Sequence, residues 1–360
     1  MNAPRLEIRL DRIHHNAHTL VERLSARQIS VTGVTKATLG SPEIARELLR
    51  GGVTAIGESR IENIETLRAA GLSAPMVLVR SPMLSQTDQV VASADVSLNT
   101  EVEVVAALSS AAHEQHRTHG VVLMVELGDL REGILPGDLA AAVRRTLAFP
   151  GIVLRGIGTN LACHSGVAPD EQNMAELSSL ASSLESTFGV TFTIVSGGNS
   201  ANLDWVFSGA DVGRIDNLRL GEAILLGREP LRRQAIEGLH TDAITLVAEV
   251  IESKTKPTKP WGTIEETAFG AAAPGIDRGS RGRVILAVGV QDVDPAGLTP
   301  PAGMQILGAS SDHLVLDGGT TVPALGDELR FGLNYSALVR AMTSPFVVRA
   351  FTCEAAPDRR

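Results

Sequence analysis

From about Ile13 to Gly227 the chain alternates short β-branched runs with longer amphipathic stretches. That alternation constrains the fold more than any other feature, because βα units spaced this way build a parallel sheet covered by helices. Eight candidate strands are centred on residues 31–35, 55–57, 76–79, 96–98, 121–125, 154–158, 192–195 and 211–214. Between them, over 42–50, 61–69, 101–115, 136–148 and 171–188, apolar residues recur at three- and four-residue steps. Eight such units imply a TIM (β/α)8 barrel, with a doubly wound sheet as the alternative.

The texture changes after Glu229-Pro230 to short strands, Gly-Pro turns and little helix, with candidate strands at 243–252, 283–288, 313–316 and 328–331. With 360 residues the chain also exceeds what one core usually accommodates. The expectation is therefore a barrel over 12–230 and a β-rich domain over 231–353. The strictly alternating Arg5-Leu-Glu-Ile-Arg-Leu10, within residues 1–11, is expected to join the second domain as a strand. Lys254 to Pro260 (KTKPTKP) reads as a solvated, proline-broken connector.

A net charge of −9 argues against a nucleic-acid or anionic-membrane surface, since neutralising phosphates needs clustered Lys and Arg. Cys163 and Cys353 are too few for a disulfide framework, and MNAPRLEIRLDRIHHN carries no apolar signal core, so a cytoplasmic protein is expected. No run reaches the roughly 18–20 apolar residues of a membrane span. His113, His116 and His119 step by three as if along a helix, and His14, His15 and His18 cluster similarly. Without acidic or Cys partners at ligand spacing both sets read as solvated polar faces, and no metal site is expected. Cys163-His164 reads as a small buried thiol beside a histidine.

Three segments carry chemistry. Lys36 ends the strand-like run Ile29-Ser-Val-Thr-Gly-Val-Thr-Lys36 before a small-residue turn. Its amine either snorkels to water or faces a pocket where a depressed pKa makes it a nucleophile. In a barrel the carboxyl ends of strands face the site, and the loops after the last two strands commonly hold a phosphate. Ser196-Gly-Gly-Asn-Ser200 and Asn217-Leu-Arg219-Leu-Gly221-Glu222 are read as those two loops, each with glycines that let backbone N–H groups approach an anion.

These parts, with Arg131-Glu-Gly133, Gly158-Thr-Asn160 and Leu226-Gly227, resemble the alanine racemase superfamily of pyridoxal phosphate (PLP) enzymes nearly end to end. Within it VTKATLGSPEIA, SRIENI, LGDLREGI, GIGTNL, SGGNS, NLRLGEAI, GASSDHLVLD and LVRAMTS are most similar to the ornithine racemase group and its diamino or broad-specificity relatives. The resemblance implies a PLP-binding barrel with a β-rich second domain, a small-molecule amino-acid substrate and a homodimer. It implies that Lys36 carries PLP and moves the substrate α-proton. Arg219 would face the pyridine nitrogen and leave it unprotonated. Asn160, Asn199, Ser200, Gly221, Glu222 and Tyr335 would complete the cofactor site, with Tyr335 on a late strand of the second domain. Arg131 would take the substrate carboxylate, its alternative being an ion pair with Glu132 or Asp129. Asp312 would meet a substrate ammonium.

Two departures stand out. The second catalytic tyrosine of alanine racemases falls on Val290, so the opposite-face proton must pass to Tyr335, Asp292, Cys163, His164 or water. After Lys36, Ala37-Thr-Leu-Gly40 replaces a tyrosine- and histidine-containing loop. The expected activity is racemisation of ornithine or a related basic amino acid. The alternative is a PLP carrier without robust catalysis, which the β-rich region disfavours. An aldolase or decarboxylase would need a metal site or a different substrate clamp.

Overall fold

The computed structural model describes residues 4–270, 276–319 and 322–353. It separates into two compact units, Asp11–Thr241 and the described parts of Met1–Leu10 with Asp242–Arg360. Strand β1 (Arg5–Arg9) belongs to the second unit; the first three residues of the 1–11 segment lie outside the described residues.

In the Asp11–Thr241 unit, eight parallel strands close into a barrel: β2 (Ser30–Val34), β3 (Ala55–Glu58), β4 (Met76–Leu78), β5 (Val96–Asn99), β6 (His119–Val125), β7 (Ile152–Thr159), β8 (Ile194–Gly198) and β9 (Asn217–Leu220). Pairing of β2 with β9 in register Thr32 to Arg219 closes the ring and rules out the doubly wound alternative. Surrounding helices form where apolar spacing and capping agree. Helix Pro42–Arg50 has Pro at its first position, where a missing N–H costs nothing, and Ser41 Oγ accepts from Ile44 N–H. Helix Glu171–Phe188 is closed by a reciprocal box between Asp170 and Asn173.

Strand alternation divides the barrel interior in two. Ala55, Val77, Val96, Leu98, Val122 and Met124 form an apolar cluster on the β3–β6 arc. Across from it, Asn217 Nδ2 donates to Ser30 Oγ and Thr32 Oγ1, both at 3.1 Å, while its Oδ1 accepts from Ser196 Oγ at 2.8 Å. That polar arc explains a correction. The eighth strand is Asn217–Leu220 and not 211–214, because inward-facing Asn217 and Arg219 hide it from an apolar pattern. Residues 211–214 instead form a turn, with Asp211 Oδ1 accepting from Gly213 N–H and Ser178 Oγ from Arg214 N–H. Ser196–Gly198 likewise lie within β8, so both segments read as loops begin inside the wall.

The second unit is an antiparallel sheet ordered β12 (Leu298–Thr299), β15 (Glu328–Leu333), β10 (Ile244–Pro257), β11 (Ser280–Leu286), β14 (Leu314–Asp317) and β13 (Gln305–Ala309). Strand β1 pairs antiparallel with β10 and parallel with β16 (Val348–Thr352). Two expectations change here. Lys254–Pro257 is no connector but the end of β10, paired through Pro257 with Ser280. Tyr335 is not on a strand: it opens helix Tyr335–Thr343, because Asn334 Oδ1 caps Ala337 N–H. No helix among the described residues is long and apolar enough to cross a membrane.

The histidine triplet also divides. His113 ends a helix, His116 sits at φ 51° in the turn after it, and His119 begins β6, buried. The His119 ring nitrogen Nε2 lies 2.7 Å from Ser97 Oγ, and burial pushes its pKa from 6.5 down to about 4. A histidine with a depressed folded-state pKa favours unfolding when acid protonates it, so its contribution is lost as pH falls from 6.5 towards about 4. His119→Gln should therefore show a shallower fall of Tm across that window than the unaltered chain; parallel curves would contradict the assignment.

Candidate active site

Lys36 is the only lysine of the barrel unit; Lys254, Lys256 and Lys259 are the other three of the chain. It stands immediately after β2 in a single 3-10 turn, Lys36–Thr38, closed by Thr38 N–H and Thr38 Oγ1 on Thr35 O, both at 2.9 Å. Leu39 takes a left-handed φ of 54° to end it. The side chain is exposed to solvent, although protein atoms crowd the amine. Burial holds its amine below the ordinary lysine pKa. A charge at Cys163 opposes this, Arg131 and Arg219 reinforce it, and Glu58 opposes it. Lys36 thus reaches solvent, as the snorkelling reading expects, and also lies among charged groups that act on its amine.

Arg219, on β9, is buried with its fork spent inside the barrel. Nη1 donates to Ser196 Oγ at 2.6 Å, and Nη2 to Thr159 O at 2.8 Å and Asn160 Oδ1 at 3.2 Å. Burial pushes its pKa down to about 10, which still leaves it charged at neutral pH and able only to donate. Asn160 Oδ1 also accepts from Asn199 Nδ2 at 3.1 Å, and Asn199 Nδ2 reaches Leu161 O at 2.9 Å and Cys163 Sγ at 3.5 Å. A hydrogen-bonded chain thus runs Arg219–Asn160–Asn199–Cys163. Cys163 is an exposed thiol, not a buried one. Its loop is fixed by Asp129, which accepts from His164 N–H and Ser165 N–H. That leaves Glu132, not Asp129, as the partner of Arg131.

The ends of β8 and β9 meet at Ser200, whose Oγ accepts from Ala223 N–H at 3.2 Å in the first turn of helix Glu222–Leu226. The hydroxyl proton and the Glu222 N–H that opens the helix are suited to an anion, whereas the Ile224 N–H is taken by Gly221 O. Gly198 holds φ at 142°, and a Cβ there would lie 2.3 Å from Asn202 Oδ1. At Gly221 a Cβ would come within 3.0 Å of Val34 O, so glycine lets β9 approach the end of β2. The Asn160 amide nitrogen is buried without a partner. This donor set, with an amine at one end and an anion cradle at the other, fits PLP.

In the other unit, Asp312 is exposed and bonded to His313 Nδ1 at 2.7 Å, which holds its carboxyl below the usual range. Asp292 is buried, accepting from Ser344 Oγ at 2.9 Å and Gly289 N–H at 3.2 Å, a turn clamp with no oxygen to spare. Val290 N–H bonds to Ser310 O within that unit. Among the described residues no His, Cys, Asp and Glu cluster has a metal-holding arrangement.

Sequence reasoning missed Glu58, the last residue of β3, fully buried behind Lys36. Its signal was a carboxylate closing the otherwise apolar Ala55-Ile-Gly-Glu58.

Residues 8–229 match the family model described as alanine racemase, N-terminal domain. The chain is 39% identical to a lysine racemase of Thermotoga maritima over 97% of this chain and 98% of that protein. It is 36% identical to an ornithine racemase of Acetoanaerobium sticklandii, over 96% and 98%. An alanine racemase structure from Streptomyces coelicolor superposes with a TM-score of 0.76 at 18% identity, covering 97% of each chain. A D-threonine aldolase structure from Filomicrobium marinum gives 0.73 at 16%, covering 95% and 88%, a likeness of fold alone.

Burial raises the Glu222 carboxyl from 4.5 to about 7, against Arg233 and Lys36 and with Glu229. The folded state then keeps a proton that the unfolded chain releases, so stability falls as pH rises from 4.5 to about 7. In urea denaturation of the cofactor-free chain, Glu222→Gln should remove that slope and be the more stable form above pH 7; an unchanged slope would refute the shift.

Proposed function

The chain belongs to the alanine racemase family and is an amino-acid racemase, and from that premise we propose that it uses PLP to interconvert the enantiomers of a basic amino acid, ornithine or lysine. The observation that carries the cofactor reading is the lone barrel lysine, its amine pKa held down by burial, after the strand that pairs with the one carrying Arg219, a charged group that can only donate. Substrate class is supported by the nearly full-length likeness to a lysine and an ornithine racemase.

PLP, when bound, supplies a carbonyl for an amine and a conjugated ring that takes up carbanion charge. Lys36 Nζ would hold the cofactor and would serve as the base that removes or returns the substrate Cα proton. Burial serves both tasks by keeping a larger fraction of the amine neutral. Arg219 would meet the ring nitrogen as a donor, and its bonds to Ser196, Thr159 and Asn160 fix its plane. Ser200 and the backbone of Gly221 and Glu222 would hold the phosphate, and Asn160 and Asn199 would brace the site. Arg131 takes the substrate carboxylate as a fork, exchanging its Glu132 partner for it. Asp312, ionised beside His313, suits a substrate ammonium. A homodimer in the cytoplasm is the setting we propose, with the 12–230 barrel and 231–353 domain as its parts.

For the opposite face, the buried, doubly engaged Asp292 is a poor proton carrier. Cys163 is the better one: its thiol is exposed and sits 3.5 Å from the Asn199 amide nitrogen, in the loop that Asp129 holds. Its proton passes to Cα on one face as Lys36 takes one from the other, and solvent restores both groups.

Incubating the PLP-loaded protein in D2O with L-ornithine or L-lysine should give deuterium at Cα together with the D-enantiomer, and Lys36→Ala should abolish both. Bound PLP without exchange would favour a carrier. Cys163→Ala should slow racemisation by about 10²-fold or more yet still exchange the α-proton of one enantiomer; equal loss of exchange from both enantiomers would exclude Cys163.

A further inference from the structure

Glu58 is a carboxylate with no place in the chemistry above, and it is completely buried. In β3 the alternation that turns Ala55 into the barrel turns Glu58 out, into the layer between wall and helices. There its Oε2 accepts from Ser59 N–H at 3.0 Å and from Asn63 Nδ2, on helix Ile61–Ala69, at 3.1 Å. Its Oε1 accepts from Thr35 Oγ1 at 2.8 Å. Thr35 is the residue before Lys36, its N–H bonds to Gly57 O at 3.0 Å, and its carbonyl closes the turn that carries the amine.

A backbone N–H and an amide nitrogen can only donate, so the nest around Glu58 is built for the ionised carboxylate. Burial works against that ionisation. A charge kept in such surroundings acts over a longer range than one in water. Arg131 and Arg219 press the Lys36 amine towards the neutral form, and Glu58 presses back from behind the wall, as do Cys163 and Glu222 from their own sides.

We propose that Glu58 is the positioning residue of Lys36: through Thr35 it fixes the turn from which the amine projects, with its buried carboxylate as the negative charge behind that turn. The inference rests on the reading of Lys36 as the working amine. It gives Glu58, tied to the Lys36 turn through Thr35, a negative charge that opposes the two arginines at that amine.

The test is competitive acetylation of the full-length, cofactor-free protein across a pH series, read at each lysine by peptide mass spectrometry, with Lys254, Lys256 and Lys259 as internal controls. Glu58→Gln keeps the shape and removes the charge. The Lys36 labelling midpoint should move down by roughly half to one pH unit while the three control lysines stay put. An unmoved midpoint overturns the charge role. Thr35→Val keeps the Glu58 charge and removes its link to the turn. It should leave the midpoint in place while slowing association with PLP several-fold at a pH where Lys36 is neutral. Association as fast as in the unaltered protein overturns the positioning role, and this variant decides the matter if Glu58→Gln does not fold. A labelling shift in a protein that never takes up PLP would uphold Glu58 and sink the cofactor reading.

Discussion

Arg219 is enclosed by the barrel, and a guanidinium so placed must find oxygen acceptors or destabilise the fold by several kcal/mol. The three acceptors it finds come from two strands: the Ser196 hydroxyl on β8, the Thr159 carbonyl ending β7, and the Asn160 amide after it. None could be supplied by its own neighbourhood in sequence. The barrel must therefore close in the observed register before the charge can be buried, and Asn217, two residues earlier, ties the same strand across to Ser30 and Thr32 on β2.

From that polar arc the rest of the site follows. Asn160 Oδ1 is shared between Arg219 and Asn199, and Asn199 reaches on to the Cys163 loop. Ser200 holds the start of helix Glu222–Leu226, joining the ends of β8 and β9 where an anion would sit. The facing arc is apolar, from Ala55 to Met124, and supplies cohesion without competing for hydrogen bonds. One half of the interior binds the barrel together while the other orients donors, which is how a packed core can also be a reactive surface.

The site's electrostatics are a balance among buried groups and not the property of one residue. Lys36 is pressed towards neutrality by burial and two arginines, while Glu58 presses the other way. Glu222 is pushed up to about 7 by burial, so its charge varies near neutral pH a short way from the amine. Groups whose environments push their pKa values apart in one cleft are characteristic of proton-transfer sites.

The sequence by itself determined the βα alternation, the barrel, the change to β texture after Pro230, and the residues worth watching, from Lys36 to Arg219. These were legible because strand and helix periodicity are local, and because Gly-Gly-Asn-Ser200 and Leu-Arg-Leu-Gly221 carry their chemistry in consecutive residues. Only tertiary structure decided the rest. Asn217–Leu220 is a strand because its polar side chains find partners on β2, β7 and β8, which no hydropathy pattern can anticipate. Tyr335 opens a helix because one Asn334 side chain caps it, and Lys254–Pro257 extends a strand because β11 lies alongside. Glu58 acquired its place behind Lys36 from the pairing of β2 with β3, which sets two residues 23 positions apart within one hydrogen bond. Local pattern fixes which way a side chain faces, but only the closed sheet decides what it meets there.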